Sequence, residues 1–117
     1  MAEIILYHNP QWGKSRGAVS LLEQNGVEFT KVEYLKNPLT RNEILSLSNK
    51  LGMAPSGFVR KNEASYKENN FGEILNDDEA MAVAIEKFPK IMERPIAVKG
   101  AKAVIGRPPE NVLTLID

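Results

Sequence analysis

Ile4 to Tyr7 is an unbroken apolar run, the pattern of a strand buried on both faces, and a short polar stretch from His8 to Gly13 follows it. Ala18, Leu21 and Leu22 then recur at helical spacing. They predict a helix that opens near Lys14 and ends at Asn25-Gly26, where glycine can take the left-handed backbone that closes a helix. From Glu28 to Tyr34, Thr30, Val32 and Tyr34 alternate with Lys31 and Glu33, the pattern of a strand near a sheet edge. The chain therefore opens as a βαβ unit.

Asn37-Pro38 breaks that strand, and Thr40 with Glu43 forms a capping-box signature for a helix through Ile44, Leu47 and Leu51 to Gly52. The polar stretch from Met53 to Asn76 reads as short helical pieces. A stronger helix follows, with Met81, Ala84, Ile85 and Phe88 on one face and Pro89 as its stop. Ile96-Ala97-Val98 and Ala103-Val104-Ile105 flank Lys99-Gly100-Ala101-Lys102 as a β-hairpin, and Pro108-Pro109 opens a last helix with Val112, Leu115 and Ile116 on a shared face. The order βαβ, helical insert, ββα predicts an α/β fold of the thioredoxin-like kind, with a small four-stranded mixed sheet flanked by helices.

A chain of 117 residues suits a single domain over residues 1–117, because one core of that size buries roughly two thirds of the unfolded surface. Hydrophobic residues make up 43% and charged residues 26%, and no stretch approaches the roughly 20 apolar residues that span a bilayer, so membrane insertion is not expected. The formal charge is zero and the Lys and Arg residues are scattered, which argues against nucleic acid as a partner. Met1 to Tyr7 has neither a basic flank nor a long apolar run, so a cytoplasmic location is expected. There is no cysteine, which removes disulfides, thiolate nucleophiles and thiolate metal sites together, and no metal or bound cofactor is expected.

Candidate chemistry concentrates in His8-Asn9-Pro10-Gln11-Trp12-Gly13-Lys14-Ser15-Arg16, between a buried strand and a helix start. Free backbone N–H groups and the helix dipole favour an anion at such a place. The same stretch is also compatible with an ordinary strand-to-helix turn whose hydroxyl caps the helix.

His8-Asn9-Pro10, with Ser15-Arg16 shortly after, resembles the glutathione- and glutaredoxin-coupled arsenate reductases. Tyr34-Leu35, Pro38, Leu51-Gly52, Val59-Arg60-Lys61 with Glu63, Glu93-Arg94-Pro95-Ile96, and Ile105-Gly106-Arg107-Pro108-Pro109-Glu110 continue the likeness in order, from about Ile4 to Ile116. The resemblance implies that Arg60, Arg94 and Arg107 bind the arsenate oxyanion, a task suited to a planar, permanently charged guanidinium. It implies that Ser15 either donates to the same anion or caps the helix, and that His8, Asn9 and Pro10 shape the loop. It also implies a cis bond at Arg94-Pro95, beside the active loop. Arsenate, phosphate or sulfate is then the expected ligand, with glutathione and glutaredoxin as external reductants.

Trp12 stands where that family keeps its nucleophilic cysteine. An indole cannot attack as a thiol does, and the four Met thioethers cannot enter thiol–disulfide exchange, so the family's redox step has no starting group in this chain. Trp12 is expected either to pack into the vacated space, to stack under an arginine as a cation–π partner, or to be a tolerated bulky residue. The leading expectation is a family member without thiol redox activity that retains an oxyanion site. Two alternatives remain at this point: a protein-interaction module, as the thioredoxin-like Spx regulator is, or a glutathione-assisted reductase that only positions an external thiol.

Overall fold

The computed structural model describes residues 3–116. The chain divides into two compact units, one built from residues up to Asn37 and from Arg94 onward, the other from Pro38–Glu93.

The first unit holds β1 (Ile4–His8), α1 (Gly13–Gln24), β2 (Phe29–Glu33), β3 (Ile96–Lys99), β4 (Lys102–Ile105) and a 3₁₀ helix, Pro109–Leu115. Its four strands lie in the order β2-β1-β3-β4. β1 runs parallel to β2 and antiparallel to β3, which pairs antiparallel with β4, so the sheet is mixed as expected. β2 is an edge strand, which accounts for its Lys31 and Glu33.

Alternation along β1 puts Ile4 and Leu6 on one face, where they meet Ala18 and Leu22, one turn apart on α1, together with Ala97, Val112 and Leu115. Burying a side chain such as Leu6 or Leu22 contributes about 1.5–3 kcal/mol, and both are fully enclosed. Ile5 and Tyr7, on the other face of β1, are only partly buried, so the strand is less evenly enclosed than its apolar run predicts. α1 packs against the 3₁₀ helix, and at Gly17 an added Cβ would sit 3.3 Å from Pro109 Cγ. The β3–β4 hairpin turns through Gly100, at φ 61°, a backbone angle that favours glycine.

The last segment is a 3₁₀ helix rather than the expected α-helix. Val112 and Leu115 are three residues apart, and a three-residue turn eclipses such positions, so the apolar face is buried equally well in the tighter helix. α1 also starts one residue earlier than expected, at Gly13, and β1 extends to His8. The intervening loop is thereby confined to Asn9–Trp12.

The second unit is helical: α2 (Arg41–Leu51), α3 (Ala64–Glu68), α4 (Asp78–Lys87), and 3₁₀ turns at Pro55–Phe58, Phe71–Ile74 and Pro89–Ile91. The capping box forms as its sequence predicts: Glu43 N–H donates to Thr40 Oγ1 at 3.2 Å, and Thr40 N–H to Glu43 Oε1 at 2.9 Å. Gly52 closes α2 at φ 71°. Ile44 and Leu47 bury on one side of α2, which packs against α4 with its own Met81, Ala84 and Ile85. Phe88 lies just past α4 and its ring meets Phe71 at 5.6 Å between centroids. A bridge between Val59 and Met92 brings the two ends of this unit's irregular stretch together. No helix among the described residues is long and apolar enough to cross a membrane.

Candidate functional site

The loop between β1 and α1 is held by its own polar groups. Asn9 does most of this: its N–H donates to Ser15 Oγ at 3.2 Å, its carbonyl accepts from Trp12 N–H at 3.0 Å, and its side-chain Oδ1 accepts from Gln11 N–H at 3.0 Å. Arg16 Nη1 donates to the Pro10 carbonyl at 3.0 Å from the far side of the loop. Ser15, fully buried, therefore receives the loop's N–H in its hydroxyl and is not the helix cap. The residue in the capping position is Trp12, extended at φ −104° and ψ 132°, with no side-chain cap.

With the loop so fixed, Trp12 is 43% exposed and its ring lies beside Arg94, which is only 4% exposed. The guanidinium carbon of Arg94 sits 3.9 Å from the ring centroid, a cation–π stack. Arg94 is positioned by the chain entering β3, where the Arg94-Pro95 bond is cis as the resemblance implies; Arg107-Pro108 is cis as well. Gly106 N–H donates to the Pro95 carbonyl at 2.7 Å, which ties the segment carrying Arg107 to the segment carrying Arg94. An added Cβ on Gly106 would come within 2.8 Å of Pro95 Cγ, so only glycine allows this approach.

Trp12, Gly13, Lys14, Arg94 and Arg107 line a cleft of 330 Å³. Its cations are Lys14, Arg94 and Arg107, and the first turn of α1 carries no acidic residue. Lys14 escapes sequence reasoning as a site residue, since a lysine at a helix start looks like any solvated charge. Its place directly after Trp12-Gly13 is the signal that could have found it.

Arg60 belongs to the other unit, where it is gripped by carboxylates. Its Nη1 donates to Glu63 Oε1 at 2.8 Å and its Nε lies 3.5 Å from Glu93 Oε1, with all three side chains mostly enclosed. Its backbone N–H donates to the Ile91 carbonyl, next to the Val59–Met92 bridge.

His8, at the end of β1, is buried, and its Nδ1 has no hydrogen-bond partner among the described residues. Burial lowers its pKa below the ordinary imidazole value; Glu33, paired opposite it on β2, pulls the other way, and Lys31 adds slightly to the lowering. The imidazole is thereby held toward its neutral form.

Known proteins place these features in context. The profile described as the ArsC family matches residues 7–115. The chain belongs to the ArsC family. An arsenate reductase of Neisseria meningitidis serogroup A is 41% identical over 113 residues, covering 96% of this chain and 97% of that protein. An uncharacterized Escherichia coli K12 protein, YfgD, is 42% identical over 115 residues, covering 97% of each. Among solved structures, an arsenate reductase from Vibrio cholerae superposes with a TM-score of 0.92 at 37% identity and covers 97% of each chain. The likeness extends over the whole ArsC unit and fixes the fold as α/β and thioredoxin-like.

Proposed function

We propose that this chain is an ArsC-family protein that binds a tetrahedral oxyanion, arsenate or phosphate in the first instance, without thiol redox chemistry of its own. The observation that carries the reading is the convergence of Arg94, Arg107 and Lys14 on one cleft at the start of α1. Guanidinium groups donate paired, charge-assisted hydrogen bonds to such anions, and the buried position of Arg94 reduces the solvent competition for them. The likeness to arsenate reductases supports an oxyanion as the ligand class.

The chemical limit comes from residue 12. The family resemblance puts the nucleophilic cysteine there, and this chain has tryptophan and no cysteine anywhere. Glutathione and glutaredoxin could serve such a site only as external reductants, with no thiol on this chain for them to restore. His8, held toward its neutral form and without a thiolate to tune, takes no catalytic part in this reading. Ser15 acts on the loop by accepting from Asn9 N–H.

Of the three arginines implied by the resemblance, Arg94 and Arg107 line the cleft together with Lys14. Arg60 is engaged with Glu63 and Glu93, and an anion drawn to it must compete with both carboxylates. The protein works in the cytoplasm and takes neither nucleic acid nor membrane as its partner in this reading.

Trp12 is the sole tryptophan and lines the cleft, so its fluorescence reports on the site. Titration with arsenate, phosphate and sulfate is expected to give a saturable change that is lost in Arg94→Ala. A flat response, matched by a flat calorimetric titration, would remove the oxyanion site and favour a protein-interaction role.

A further inference from the structure

The cleft is larger than the anion its cations would hold. Taking a tetrahedral oxyanion as about five water volumes of about 30 Å³ each, it fills less than half of the 330 Å³ available. Pockets for small organic ligands begin at about 300 Å³. The cleft therefore has the size of a site for an anion with an organic group attached.

The identity of that group follows from Trp12. One face of its ring is covered by Arg94 at 3.9 Å, yet the residue remains 43% exposed at the cleft. Arg94 thus fixes the plane of the indole from its covered face. An exposed, pre-oriented indole that lines the same cleft as Lys14 and Arg107 offers a stacking platform in a cationic site. Gly13, the residue between Trp12 and Lys14, contributes no side chain to fill the intervening space, and a Cβ there would find only Arg16 Nη2, at 3.8 Å.

We infer that the cleft binds a phosphate monoester carrying a planar ring, with the phosphate on Lys14 and Arg107 and the ring stacked on the face of Trp12 that Arg94 leaves open. This deepens the oxyanion reading and rests on it. The inference adds that the tryptophan is itself a ligand-binding residue, selecting ring-bearing phosphates over inorganic phosphate. No bond is made or broken in this step, so it asks nothing of the missing thiol.

The test is a calorimetric comparison of phenyl phosphate, ribose 5-phosphate and inorganic phosphate on the whole chain, with Trp12→Ala and Trp12→Phe beside the wild type. Phenyl phosphate is expected to bind about tenfold more tightly than the other two, as stacking of one ring on an aromatic side chain allows. That preference, read as the ratio of phenyl phosphate to inorganic phosphate affinity within each variant, should vanish in Trp12→Ala and survive in part in Trp12→Phe. Equal affinity for all three compounds overturns the inference while leaving the oxyanion reading intact. A preference that persists in Trp12→Ala overturns it too, because the ring then sits elsewhere. Failure of all three to bind overturns both.

Discussion

Arg94 and Arg60 are the same residue type, each in a motif that carries the resemblance to arsenate reductases, but their surroundings differ. Arg94 lies under an indole ring and lines one cleft with Arg107 and Lys14. Arg60 faces Glu63 and Glu93, so its charge is more than balanced locally by two carboxylates. A motif specifies a guanidinium; its neighbours decide whether that guanidinium recruits an anion or braces a fold. The contrast is open to direct attack.

The largest effect should come from Arg94→Ala. Removing one charge-assisted partner costs about 1.5–3 kcal/mol, so arsenate and phosphate affinity measured by calorimetry should fall roughly 10- to 150-fold. Arg94→Lys would keep the charge but lose the flat stack on Trp12, and an affinity close to wild type would show that charge alone suffices. Gly106→Ala should come next. Its new methyl must displace Pro95 and Val112, and urea unfolding should show a loss of about 1–3 kcal/mol, typical of an overfilled core.

Arg60→Ala tests the other half of the comparison. Its two carboxylate pairs are partly screened, so the stability loss should be about 1 kcal/mol, with anion affinity changed by no more than about twofold. A loss of affinity matching that of Arg94→Ala would restore Arg60 to the anion site and erase the distinction. The smallest effect belongs to His8. Its folded-state pKa lies below the ordinary value, so as pH falls through that value the unfolded chain takes up the proton first. Stability from this group is full above the ordinary imidazole range and declines as pH drops toward the lowered folded value. In His8→Gln the pH dependence of stability over that window should flatten; an unchanged slope would assign it to other groups.

Sequence made the strands and the long helices legible because their apolar positions carry the period of the element. Ile4 and Leu6 mark β1, Ala18 and Leu22 mark α1, and Thr40 with Glu43 marks the start of α2. The last segment misleads because Val112 and Leu115, three apart, suit a 3₁₀ helix and an α-helix alike. Within the candidate site, Arg94 and Arg107 were readable by motif, and a stack of Trp12 on an arginine was among the foreseeable outcomes. Two features were not readable. Lys14 stood in the candidate stretch but was not singled out until the cleft showed it, and the grip of Glu93 on Arg60 depends on the Val59–Met92 bridge, a long-range pairing with no local signature. Ser15 was expected to cap a helix or meet an anion; the capping position falls to Trp12, and Ser15 Oγ accepts from Asn9 N–H.

The central claim is that this ArsC chain has a cleft for the oxyanion but lacks the group that would attack it. The most direct measurement is arsenate reduction by the purified protein with glutathione and glutaredoxin supplied, wild type beside Trp12→Cys. No turnover by the wild type, with activity appearing in Trp12→Cys, is the predicted result. Turnover by the wild type at a rate equal to the cysteine variant would contradict the account, because arsenate would then be reduced without a thiol on the chain.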